Sequence, residues 1–291
     1  MNYHKLFFAM IFLLTILWYS CTPYQSNQKD ILSQNVDFLI VNGNEYWEKR
    51  AEPENAVWAR NFLLKAHQLR PQDEETGLLY SRSCFFEGKY IEQNKLKRDS
   101  LFMEGALTAL SIVLNIGPKE INSETILNPG KGRHLLVNEI ENTSKSSLPA
   151  LYMLGLNLGE FIFPKPVRER MKQRNLLESL FHRIHSLDPT YDFGGPLHLL
   201  GILYSRLPGM DVKQAKAYFD RAIQMYPDCF SHRTARAEYY FIKSGHRDAF
   251  HDELSQIITL DPTHIPNIMP ENLMEQGRAE ILLERESALF E

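Results

Sequence analysis

His182 and His185, three residues apart on one helical stretch, come nearest to a metal-ligand spacing in this chain. A zinc site needs three or four converging ligands, and no further His, Cys or carboxylate stands nearby at matching spacing, so the pair reads as two solvent-facing side chains. His246 and His251 straddle a turn and a helix start, where caps or surface positions are expected. Glu74 and Glu75 follow Pro71 and Asp73 at a helix start, where the macrodipole favours negative charge without any acid–base role. "NPGKGR" (128–133) lacks the G-x-x-x-x-G-K-[ST] frame of a phosphate loop and reads as a solvated loop. No G-x-S-x-G, H-E-x-x-H or G-x-G-x-x-G occurs. A non-catalytic protein is expected, with no cofactor and no metal.

Covalent chemistry is expected at one residue, Cys21. A short basic start (His4, Lys5) leads into an apolar run from Leu6 to Tyr19, then Ser20 and Cys21. The run is shorter than the about 20 residues of a membrane span and fits the apolar region of an export signal. A cysteine directly after a small residue resembles a bacterial lipobox, in which Cys21 becomes the diacylated first residue. Trp18 and Tyr19 are bulkier than the residues usual before it. The competing reading is an uncleaved signal anchor with an inert Cys21. On the lipoprotein reading, residues 1–20 are signal peptide, 21–29 a polar tether and 30–291 a helical domain in the cell envelope, facing the periplasm. Cys84 and Cys229, far apart and without framework spacing, are expected to be free thiols.

The elements that must position any site follow from periodicity. The chain has 291 residues, 44% hydrophobic and 23% charged; its net charge of -4 gives no general attraction to nucleic acid. In "DVKQAKAYFDRAIQMYPD", Ala215, Phe219 and Ala222 precede Pro227 by twelve, eight and five positions, one stripe of a 3.6-residue helix. Asp211 is the N-cap expected for that helix. The same grammar recurs as Ala59, Leu63 and Ala66 before Pro71, and Ala106, Leu110 and Val113 before Pro118. Leu177, Phe181 and Ile184 precede Pro189 in the same way, and Phe250, Leu254 and Ile257 precede Pro262. The intervals between the last three prolines approach the about 34 residues of a tetratricopeptide repeat. The spacing predicts an all-α, tetratricopeptide-like helical repeat array with lengthened helix pairs. Two insertions, "GKYIEQNKLKRDS" and "FIFPKPVRER", fall at turns inside pairs and are expected to project from one edge. A third interruption, 121–147, is polar.

The inner face of such an array is lined mainly by the first helix of each pair. Those helices bring Tyr152, Tyr204 and Tyr239, and "YDFGGPLH" adds Tyr191, Phe193 and His198, the candidates for contact with a ligand or partner. Tyr204 also sits at a packing position, in Leu-Gly-x-x-Tyr spacing with Leu200 and Gly201. Arg233 and Arg236 are expected to pair with local acids. The last helix, with Leu273, Ile281, Leu282 and Leu289, reads as a solvating cap over the final repeat.

"SLPALYMLGLNLGEFI", "SLDPTYDFGGPLHLLGILYSRLPGMDVKQAKAYFDRAI" and "ENLMEQGRAEILLERESALF" together resemble the T-component lipoproteins of tetratricopeptide-associated TRAP transporters. The resemblance runs from about Trp47 to Phe290 and departs at Met153 and Leu158, where the family tends to have Trp. It implies a lipid-anchored, all-helical, oligomeric protein that docks with a periplasmic solute-binding protein. It further implies a channel in the stack suited to a hydrophobic or amphipathic small-molecule ligand. The rival expectation is a generic scaffold for protein assembly in the envelope, without ligand transport.

Overall fold

The computed structural model describes residues 24–291 except 118, 119, 129 and 131, with the backbone alone of 24–32. Cys21, the apolar run before it and Pro118 lie outside the described residues. The long helices are α1 (Tyr24–Glu48), α2 (Pro53–Leu69), α3 (Glu74–Phe86) and α4 (Lys95–Leu114), then two short ones, α5 (Ser123–Leu127) and α6 (Arg133–Asn142). The second half holds α7 (Leu148–Ile162), α8 (Val167–Lys172), α9 (Arg174–Leu187), α10 (Tyr191–Arg206) and α11 (Val212–Met225). It ends with α12 (Phe230–Ala235), α13 (Ile242–Ser244), α14 (Arg247–Thr259), α15 (Met269–Glu284) and α16 (Glu286–Leu289). Two π-helical turns, Glu87–Ile91 and Arg236–Phe241, continue α3 and α12. Helices pack in pairs, and there is no strand among the described residues.

The fold is the helical repeat array that the stripes predict. Ala59, Leu63, Ala66, Ala106, Leu110, Leu177, Phe181, Ile184, Ala215, Phe219, Ala222, Phe250, Leu254 and Ile257 are all wholly buried, and Val113 is half-buried. Small residues let paired helices approach and large ones fill the seam: a Cβ on Gly201 of α10 would stand 2.6 Å from the Phe219 ring of α11. Asp211 caps α11 as expected, its carboxylate accepting from the Lys213 N–H at 2.9 Å.

The two insertions do share an edge. Lys165, from the second, reaches Asp99, in the first, with Nζ 2.6 Å from Oδ2. The third interruption is more than solvated loop: α5 and α6 bury Ile126, Leu136 and Ile140, and α6 packs against α9. Apolar residues spaced within a polar stretch carry this, and the stretch as a whole masks them. α1 begins at Tyr24, inside the stretch read as a tether.

The C-terminal helix departs most from expectation. It does cover the last repeat, with Gln276 Nε2 donating to the Leu260 carbonyl at 2.8 Å. Yet Leu273 and Ile281 are turned outward, and the inward face carries Asn272, Glu275 and Ala279. Glu271 accepts from Arg50 at 2.8 Å, and Glu275 accepts from the Tyr90 hydroxyl at 2.7 Å. The last long helix thereby closes the array onto its first helices.

Candidate functional site

Closure leaves space along the inner side of the array. A small cavity, about 80 Å³, lies among Trp47, Arg82, Phe85, Tyr90, Tyr152, Phe193, His198 and His232. A larger one, about 300 Å³, adjoins it through Lys89, Leu156 and His198. Its apolar wall is Phe102, Phe163, Leu199 and Ile202; its polar wall is Arg98, Glu160, Arg206, Glu238 and Arg278. Arg206, Glu238 and Tyr239 are in turn shared with a third, more open space bounded by Arg170, Ser205, Pro208 and Lys243.

Local backbone departures aim these side chains. At the start of α10, Asp192, Phe193 and Gly194 all take left-handed conformations (φ 45, 56 and 76). Two of the three are not glycine, a strained arrangement of the kind found where surrounding packing dictates backbone shape. Pro196 then starts the regular helix, and Gly195 gives passage to Tyr152, whose hydroxyl a Cβ would overlap. The π turn after α3 closes with the Glu92 N–H donating to the Glu87 carbonyl at 2.8 Å and presents Gly88 and Lys89 to the larger cavity. The π turn after α12 presents Glu238 and Tyr239 to the same cavity. Such turns rotate the residues beyond them relative to an α-helix and are frequent at functional sites.

Electrostatics between the cavities is tightly bound. Glu275, wholly buried, meets Lys89 at 3.5 Å and Arg278 at 3.0 Å. Burial pushes its carboxyl up, and Arg278, Lys89 and the Tyr90 hydroxyl more than offset that, so it lies below the ordinary value. Arg278 also holds Glu238 at 2.5 Å. Next to this network, His232 Nε2 is 2.7 Å from the Phe193 carbonyl, and its Nδ1 is 3.2 Å from Nδ1 of His198. A carbonyl only accepts, so Nε2 of His232 carries the proton; His198 Nδ1 then donates to the bare Nδ1, leaving His198 Nε2 an acceptor. Burial pushes His198 well down and His232 to about 4, against the raising effect of the Phe193 carbonyl, so both rings stay neutral.

Of the sequence candidates, Tyr152, Phe193 and His198 line the small cavity, and His198 also lines the larger one. Tyr191 stands edge-on to Tyr152 at 5.3 Å. Tyr239 forms the wall between the larger cavity and the open space. Tyr204 lies apart, against Tyr218 (5.5 Å) and His182 (6.2 Å). Lys89, Arg98, Arg206 and Arg278 also line this space and have no signature in the sequence. His232 has one: it falls 34 residues after His198, one repeat on, at the corresponding place in the next pair.

The remaining chemistry stays dispersed. His182 is exposed and His185 half-buried against Tyr218, and among the described residues no group of three or more His, Cys, Asp or Glu could hold a metal ion. Cys84 and Cys229 are buried free thiols. Arg236 pairs with Glu253 at 2.5 Å and Asp220 at 2.5 Å, as expected. Among the described residues, no helix is long and apolar enough to cross a membrane.

No curated protein matches the chain. Residues 100–290, from within α4 to the end of α16, match the family described as TRAP transporter T-component, a span that starts later than the resemblance read from Trp47. Most of α4 and all of α5 to α16, the left-handed start of α10 and the wall of the larger cavity from Phe102 to Arg278 fall inside that match, while α1 to α3 and the cavity residues Gly88, Lys89 and Arg98 precede it; the chain belongs to the TRAP transporter T-component family.

Proposed function

We propose that this chain is a non-catalytic envelope lipoprotein, anchored by lipid on Cys21, that docks with the periplasmic solute-binding protein of a TRAP system and shelters or passes a hydrophobic or amphipathic ligand. The observation that carries the ligand part is the run of three adjoining spaces along the inner side of a closed helix array. The seam between α10 and α11 is solid, whereas His198, Leu199, Ile202 and Arg206 form one stripe of α10 facing the larger cavity. A volume of about 300 Å³ lies at the lower end of the range of small-molecule sites. Tyr152, Phe193, His198 and Tyr239 are the residues assigned to contact, and Tyr191 supports Tyr152. Tyr204 is assigned to packing. Family membership carries the partner part.

The test is affinity capture of the full chain from its own envelope, followed by mass spectrometry of bound protein and small molecules. Enrichment of a solute-binding protein together with a lipid-like compound is the expected result. Recovery of neither would sink the reading and leave a scaffold. Cys21→Ser is expected to release the protein from membranes, and continued attachment would favour the uncleaved anchor.

A further inference from the structure

Three cations meet at the C-terminal end of α10. Arg206, its last residue, donates from Nη2 to the Phe163 carbonyl at 2.7 Å. Arg170, on α8, donates to the Arg206 carbonyl, and Lys243 of α13 donates from Nζ to the Ser205 carbonyl at 2.7 Å. A helix C-terminus attracts cations, and two of these bonds cap its free carbonyls. That requirement leaves donors over. Nε of Arg170 and Nε of Arg206 are buried with no partner among the described residues. The one carboxylate bounding the same space, Glu238, is held by Arg278 at 2.5 Å. Burial, then the neighbouring Arg206, lowers the Arg170 pKa; burial, then Arg170 and Arg206, lowers that of Lys243. Positive charge is concentrated here, and among the described residues no carboxylate forms an ion pair with it.

The concentration lies at a mouth. Arg206 and Tyr239 border both the open space that holds Arg170 and Lys243 and the larger cavity, whose apolar wall includes Phe163 and Ile202. Guanidinium groups match paired oxygens of carboxylate and phosphate, and unpartnered buried donors gain most from such an acceptor. We propose that Arg170, Arg206 and Lys243 bind the oxyanion head of an amphipathic ligand whose apolar chain lies in the larger cavity beyond Tyr239. The proposal rests on the ligand part of the proposed function and is independent of the partner part, so absence of a captured solute-binding protein leaves it standing.

Calorimetric titration of the full chain in a non-ionic detergent tests it, with octanoate, octyl phosphate, octanol and inorganic phosphate as probes and detergent alone as the blank. The expected result is one-to-one binding of a charged chain, at least about tenfold tighter than octanol or inorganic phosphate. The tighter of octanoate and octyl phosphate identifies the head. Arg206→Gln and Lys243→Gln are expected to weaken the charged probes about tenfold, and Lys243→Gln, at a residue outside the lining of the larger cavity, to leave octanol unchanged. Lys243→Arg, which keeps the charge, retains binding. Octanol binding as tightly as octanoate, inorganic phosphate matching octyl phosphate, unchanged affinity in both glutamine variants, loss of binding in Lys243→Arg, or no saturable binding at all would each overturn the proposal. None of these outcomes bears on capture of a solute-binding protein, so the two failures are separable.

Discussion

At the Phe193 carbonyl a single bond sets the proton positions of two histidine rings, and this gives the fold a pH dependence with a definite sign. His232 titrates near 4 when folded against an ordinary value of 6.5, so between those limits the unfolded chain binds a proton that the native one refuses. This contribution is therefore complete above about pH 6.5 and is lost as pH falls toward 4, by up to about 3 kcal/mol, with His198 acting in the same direction. Thermal midpoints measured from pH 7.5 to 5 should fall more steeply for the native chain than for His232→Gln; equal slopes would refute the assignment. A second residue argument concerns Gly195. With Tyr152 buried and its hydroxyl against this backbone, Gly195→Ala should cost about 1–3 kcal/mol through overpacking, read as a lowered denaturation midpoint. His198 and Phe193 were legible because they belong to one short, unusual string, "YDFGGPLH". Tyr204 is less legible, because a tyrosine at that repeat position serves either packing or lining, and its neighbours in the fold are Tyr218 and His182.

The helices themselves were readable wherever a stripe ends in proline, since an Ala or Phe at the right offset has one stable place to go, into the seam. Phe219→Ala should accordingly cost about 3–5 kcal/mol in denaturant unfolding, because Gly201 and the small residues around it cannot refill the hole. The π turns were not readable. "RAEYYF" holds neither Gly nor Pro, and although Gly88 lowers the helix preference of "EGKYI", nothing in either string separates a π turn from an α turn or a helix end. What holds the first of them is tertiary: Lys89 and Tyr90, adjacent in the turn, both reach Glu275 on α15. Removing that acceptor leaves Lys89 and Arg278 without a shared counter-charge inside the fold. Glu275→Ala should therefore destabilise by about 3–5 kcal/mol, far more than a typical surface change. A loss below about 1 kcal/mol would mean that the turn is held by something other than this contact.

Open repeat arrays unfold as nearly one-dimensional chains, because each unit touches only its neighbours. Here α15 breaks that rule by joining the last repeat to the first helices through Arg50–Glu271 and Tyr90–Glu275, with Met274 packed beside Trp47 and Phe86. The contact turns a string into a ring, and a ring has no free end from which to fray. Sequence reading saw the last helix as a polar cap because its inward residues are Asn272 and Glu275, which in an isolated amphipathic helix would mark the solvent side. The closed form predicts one cooperative transition. Trp47 is buried against Phe86 and Arg50, so in a Trp18→Phe, Trp58→Phe background its fluorescence reports the first helices, whereas far-ultraviolet circular dichroism reports the helical content of the whole chain. In that background the two denaturation curves should coincide. In the double variant Glu271→Ala, Glu275→Ala the Trp47 signal should move to lower denaturant while much of the helical signal persists, since α9 to α14 keep their own seams. Curves that stay superimposed in the variant would show that the first helices draw their stability from α4 and α7 rather than from α15. The cavities would then owe their walls, but not their integrity, to the C-terminal helix.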